Sequence, residues 1–310
     1  MQARLRFANS TASDKSQPSP LACNGPHVVF AELAFRVTIF GFIGMAVLEP
    51  TLLSGITRRS AFLRLWTLGL VGAAIIAAEP LPANLIAGSH VPELAFRSFT
   101  FINTGLMLAA MIGLGTVAAR EVGLYSVFAP QLPTGLRLRR NTLHWAQAAI
   151  IVGIVVALAQ FAFDFAFWRL VPSAQLLALR HAAQLSAASP LSRLLFQALT
   201  DELMLRWGLM SGVLWVLALL FHQKSKPRPS LVWAAIVIVS ILSALGEVPA
   251  LINMLAIDPA SVIILRATIV SAVAGIGYGW LYWKYGLEAA ILAHVLAQAG
   301  LVALEGSALL

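Results

Sequence analysis

The chain has 310 residues, of which 59% are hydrophobic and only 11% charged, with a mean hydropathy of +0.85. A soluble domain carries about 25% charged residues, so an ordinary water-soluble fold is excluded. The single cysteine, Cys23, excludes an intramolecular disulfide and a multi-cysteine metal site, and the net charge of +8 forms no basic stripe on a polar domain, so no nucleic-acid binding is expected.

Residues 1–27 contain Ser, Pro, Asn, Asp and Lys without an apolar core, and read as a flexible polar tail rather than a cleaved signal peptide. From residue 28 onward, apolar stretches long enough to cross a bilayer recur. About eight spans are expected, near 28–53, 61–79, 97–118, 144–168, 191–221, 231–255, 261–284 and 287–307. The alternating pattern of a membrane β-barrel is missing. The fold class is therefore all-α, a polytopic transmembrane helical bundle. Residues 28–168 read as scaffold spans, 169–190 as an interfacial amphipathic segment ending at Pro190, and 191–310 as a transmembrane core carrying the polar motifs.

Basic residues including Arg58, Arg59, Arg120, Arg137, Arg139, Arg140, Lys224, Lys226 and Arg228 flank the odd-numbered loops and outnumber those on the other side. That bias places the odd loops in the cytoplasm and both termini outside. The expected setting is the cytoplasmic (inner) membrane of a bacterium, with the lipid bilayer as partner.

Charge at membrane depth concentrates after residue 200. In "TDELMLRWG", Glu202 and Arg206 stand four apart in acid-first order, which pairs them on one helix face. Asp201 lies further round the helix and needs another partner. In "SILSALGEVPALI", Glu247 follows Ser243 by one turn, and Pro249 leaves the carbonyl of Leu245 without its donor. In "GLEAAILAHVLAQAG", His294 and Gln298 share a face. The span between them carries Ser271, Gly275 and Gly279 at four-residue spacing, a small-residue stripe that lets helices approach closely. Ionisable groups cost a few kcal/mol at the bilayer centre and usually face a bundle interior or a cavity. Three helices are thus expected to build one polar pocket. Asp164 reads as a snorkelling pair with Arg169, and Glu32, Glu49 and Glu288 as span-end residues without special chemistry.

A carboxylate in such a pocket can act as a base toward water, while an imidazole and an amide can donate to a developing oxyanion. The set suits hydrolysis of an amide by activated water. No serine nucleophile elbow and no HExxH zinc motif is present. No cofactor is required on this reading, although Glu202, Glu247 and His294 leave room for a divalent metal.

The order of these motifs resembles the CPBP family of integral-membrane proteins, which includes CAAX prenyl endopeptidases and bacteriocin-processing or immunity proteins. Its members carry EExxxR, FxxxH and HxxxN on successive helices. "DELMLR" is similar to the first motif, with Asp201 replacing the first Glu. "AILAHVLAQ" is similar to the third, with Gln298 where Asn or Asp is usual. "SALGEVP" aligns with the second only by placing Ser243 at the Phe and Glu247 at the His. The resemblance covers roughly residues 190–305. It implies a membrane-embedded endopeptidase acting on a peptide or membrane-protein substrate. Asp201, Glu202 and Glu247 would stand on the water side, His294 and Gln298 at the oxyanion, and Arg206 would orient the acids. The altered second motif keeps open a catalytically impaired member acting as a membrane scaffold or immunity protein. A proton-coupled transporter is the third reading, weakened by the lack of a visible repeat. The sequence does not set the oligomeric state.

Overall fold

A computed structural model describes residues 58–79, 92–129, 142–168, 170, 192–223, 227–255 and 262–306, all within one compact unit, Met45–Leu310. The helices are α1 (Arg58–Ala78), α2 (Glu93–Val122), α3 (Thr142–Trp168), α4 (Ser192–Met210), α5 (Ser211–Leu220), α6 (Pro229–Leu255), α7 (Val262–Tyr285) and α8 (Leu287–Gly306). Among the described residues there is no strand, as expected for a chain that must satisfy its backbone inside lipid. Among the described residues, seven helical segments are long and apolar enough to cross a membrane, with α4 and α5 sharing one span, Ala198–Leu220. They coincide with seven of the expected spans. The first, 28–53, lies outside the described residues, as do the polar tail and most of 169–190.

Local chemistry sets the helix ends. Glu93 sits in the first turn of α2, where the helix dipole favours an acid, and accepts Arg97 one turn on at 2.7 Å. Gly123 ends α2 in the left-handed region, φ 74°, and its N–H returns to the Ala119 carbonyl. Gly286, φ 95°, is the single residue between α7 and α8, and its N–H bonds the Tyr282 carbonyl at 3.1 Å. A Cβ there would lie 2.8 Å from the Tyr125 ring, so both conformation and space require glycine.

Helix α4 is wound with i→i+5 hydrogen bonding over its whole length and passes into an ordinary α-helix at Ser211. π-wound backbone is rare and collects at functional sites. Ser211 marks the transition: its Oγ approaches the Arg206 carbonyl at 3.4 Å and shares a 2.9 Å hydrogen bond with the Tyr282 hydroxyl of α7.

Glycines set the helix spacings. A Cβ on Gly115 of α2 would fall 2.2 Å from the Trp207 carbonyl oxygen of α4, and one on Gly208 would fall 2.7 Å from Met111. A Cβ on Gly153 of α3 would lie 2.8 Å from the Ala293 carbonyl oxygen of α8. The stripe on α7 seats that helix on α6, with Gly275 against Ser240 and Gly279 against Ile236. These close crossings are what packing in lipid uses where burial of apolar surface gives no driving force.

Asp164 of α3 pairs with Arg266 of α7, whose Nε and Nη2 both donate to one Asp164 carboxylate oxygen. The expected partner, Arg169, lies outside the described residues. The pairing with a distant helix follows from α3 packing against α7, which puts the end of one beside the start of the other. A double-mutant cycle on Asp164→Ala and Arg266→Ala is expected to give a coupling of about 1 kcal/mol or more, above the exposed-pair range because both groups are largely covered. Additive effects of the two substitutions would contradict a structural role for the pair.

Candidate functional site

Glu202 on α4 is fully buried, Arg206 is 4% exposed and His294 on α8 is 9% exposed. Glu202 Oε1 lies 2.9 Å from His294 Nδ1, across a sequence separation of 92 residues. Its other oxygen, Oε2, lies 3.3 Å from Arg206 Nε, close enough for charge attraction though not aligned as a hydrogen bond. Arg206 Nη2 donates to the Gly275 carbonyl of α7 at 3.1 Å. One carboxylate thus joins an imidazole and a guanidinium, and the guanidinium is tied to the glycine stripe of a third helix.

As a carboxylate, Glu202 only accepts. His294 Nδ1 therefore carries the hydrogen of the shared bond, and Nε2 is left for another partner. The Tyr278 ring of α7 stacks on the His294 ring, with centroids 4.6 Å apart and planes 17° apart. The same ring lies 5.5 Å from the Arg206 guanidinium carbon. Tyr278 and His294 stand eight residues on either side of Gly286, so the tight turn there folds one directly against the other. Tyr278 was not among the residues expected from sequence, where an aromatic in "AGIGYG" reads as core. The symmetry about Gly286 is the signal that marks it.

The remaining expected residues are placed less closely. Asp201 is half-buried and within electrostatic reach of His294, Glu202, Arg206 and Glu247. Glu247 of α6 is exposed at the protein surface, accepts Ser271 Oγ of α7 at 2.9 Å, and is within electrostatic reach of His294. Its hydroxyl partner comes from α7, not from Ser243 on its own helix. Pro249 lies inside α6, which continues to Leu255. Gln298 is half-buried one turn beyond His294 and, among the described residues, makes no hydrogen bond to the Glu202 group. Glu202 and His294 point at each other and Glu247 at Ser271. Among the described residues no group of three or more His, Cys, Asp or Glu side chains is placed to hold a metal ion.

A second buried carboxylate was not expected to be interior. Glu288, in the first turn of α8, is 5% exposed and accepts Ser126 Oγ at 2.5 Å and the Val127 N–H at 2.7 Å. It clamps the turn after α2, where Ser126 and Ala129 form a bridge, onto the start of α8. Burial and the adjacent Glu288 charge push the Tyr125 hydroxyl up to about 12, so it remains a neutral phenol at ordinary pH. The clamp fixes the start of the helix that carries His294.

The fold and the Glu202 group define a polytopic membrane protein with a fully buried carboxylate shared by the guanidinium of its own span and the imidazole of another. Residues 183–300 match the model of the family described as Type II CAAX prenyl endopeptidase Rce1-like, so this segment carries a domain of the CPBP family. No curated protein and no solved structure matches the chain significantly. The matched segment contains α4 through most of α8 and every candidate residue named above.

Proposed function

We propose that the chain is a membrane-embedded endopeptidase of the CAAX-protease type that hydrolyses a peptide bond with an activated water. The observation that carries this reading is the enclosed Glu202–His294 hydrogen bond beside Arg206. Glu202, with no exposed surface, cannot itself meet water, and its role here is to hold the imidazole. In the reactive form His294 has taken a proton from solvent at Nε2, which faces the scissile carbonyl and donates to the oxyanion; that proton stays on the ring through the turnover, and the Glu202 carboxylate offsets the charge. The water proton goes to Asp201 or Glu247, the two acids of the cluster with exposed surface. It then passes to the leaving amine, so no acyl-enzyme forms. Gln298, one turn from His294, supplies a second donor to the oxyanion. The substrate is a peptide or membrane protein presented at the bilayer. The bias of basic residues supports placement in the cytoplasmic membrane of a bacterium with both termini outside.

The test is cleavage of membrane-tethered peptides by the protein reconstituted in liposomes. Wild-type protein is expected to cut at least one of a panel. Asp201→Asn and Glu247→Gln separate the candidate bases, and the true base is expected to lose about 10²–10⁴-fold in rate. Full activity in the double variant would overturn the mechanism. One observation favours the scaffold reading: Glu247, at the altered second motif, is bonded to Ser271 rather than to the Glu202 group. Wild-type protein that cuts nothing, together with a cellular phenotype restored by a Glu202→Gln, His294→Ala double variant, would establish that reading instead.

A further inference from the structure

An imidazole has two side-chain torsions to fix, and the bond from Nδ1 to Glu202 fixes the position of only one ring atom. Rotation of the ring about the Nδ1–carboxylate line would carry Nε2 off its target without breaking that bond. The stacked Tyr278 ring blocks this rotation, because it covers the imidazole face at a 17° inclination. Tyr278 is itself held, being 3% exposed and one helical turn from Gly275, whose backbone meets Ser240 of α6. Its ring also faces Arg206, whose Nη2 is bound three residues earlier on the same helix. Both partners of Glu202 therefore rest against one aromatic surface.

We infer that Tyr278 is a positioning residue whose ring face, rather than its hydroxyl, sets the plane of His294 and so the direction of Nε2. Both contacts are made by the ring, so phenylalanine can replace tyrosine. The catalytic consequence rests on the hydrolysis proposed above; the orientation of the imidazole does not. The charged groups that face His294 are Glu202 and Asp201 from α4 and Glu247 from α6, and Arg206 adjoins Glu202 and Asp201. All are retained in Tyr278 variants, so a change at the imidazole reports the ring.

The experiment compares the full chain with Tyr278→Phe and Tyr278→Leu in lipid, using ¹⁵N–¹H dipolar order parameters of labelled histidine rings alongside peptide cleavage. Tyr278→Phe is expected to keep a single rigid His294 ring and wild-type cleavage. Tyr278→Leu is expected to keep the Nδ1–H bond to Glu202, to lower the order parameter of the His294 ring, and to lower kcat about 10²-fold at little-changed KM, the effect of a displaced reacting group. Unchanged His294 signals and kcat in Tyr278→Leu would overturn the inference. So would equal damage by Tyr278→Phe, which would put the role on the hydroxyl. If the leucine variant does not assemble, Tyr278→Trp and Tyr278→Phe decide: a rigid His294 ring in both supports the ring face, and a loosened ring in either overturns it. If wild-type protein cleaves nothing, hydrolysis fails, while the ring order parameters still decide the role of Tyr278.

Discussion

Replacing Glu202 by glutamine is expected to lower peptide cleavage by about 10²–10⁴-fold, the range lost when an oriented acid–base pair is broken. The substitution keeps size and shape but removes the charge that the imidazole and the guanidinium share. A carboxamide can still accept from His294 Nδ1, but it offers no counter-charge to the imidazolium of the reactive form. It also leaves Arg206, 4% exposed, without its acid. Breaking a buried pair on one side costs about 3–5 kcal/mol, whereas replacing both partners by packed neutral groups is often nearly neutral. Glu202→Gln, Arg206→Met is therefore expected to recover most of the stability lost by Glu202→Gln and none of the cleavage. Unfolding midpoints and cleavage rates, measured on the same preparations, separate the two effects. A Glu202→Gln protein that cuts at the wild-type rate would remove Glu202 from the chemistry.

The largest structural effect is expected at Gly115. Its Cβ position lies 2.2 Å from the Trp207 carbonyl oxygen and 2.7 Å from the carbonyl carbon. Those are backbone atoms, so no rotamer change relieves the clash, and α2 must separate from α4 next to Arg206. Alanine is a better helix former than glycine by about 1 kcal/mol, yet Gly115→Ala is expected to cost about 3 kcal/mol or more, at the upper end of overpacking penalties. Gly113→Ala is the control, because its nearest neighbour, a Phe62 ring carbon, is 3.9 Å away. That variant is expected to be as stable as wild type or up to about 1 kcal/mol more stable. Denaturant titration in mixed micelles reads both. Equal stability of the two variants would show that the α2–α4 crossing is looser than described.

Much of this arrangement was legible because lipid makes charge expensive. In a chain so apolar, Glu202, Arg206 and His294 are conspicuous, and the four-residue spacing of the first two already states their pairing. The direct partner of His294 was not legible. Sequence placed Glu202, Glu247 and His294 in one pocket with equal standing, and only the crossing of α4 with α8 selects Glu202. The i→i+5 winding of α4 has no residue signature, since it arises from how the helix is packed rather than from propensity. The stripe of Ser271, Gly275 and Gly279 was visible as a close-approach motif. Its work is more specific than expected: Gly275 seats α7 on α6 while its carbonyl holds Arg206, and Ser271 binds Glu247. Glu288 read as an ordinary span-end residue, and Asp164 was paired with Arg169, because the partners found in the structure, Ser126 and Arg266, are more than a hundred residues away in sequence.

The central claim is that a fully enclosed carboxylate on α4 bonds the imidazole of α8. Solid-state NMR on protein in lipid, labelled with ¹³C at glutamate carboxyls and ¹⁵N at histidine, measures it without reference to any substrate. A strong dipolar contact between the Glu202 carboxyl carbon and His294 Nδ1, lost in Glu202→Gln, is the predicted result. A His294 ring with no glutamate carboxyl in contact, or one whose contact survives that substitution, would contradict it.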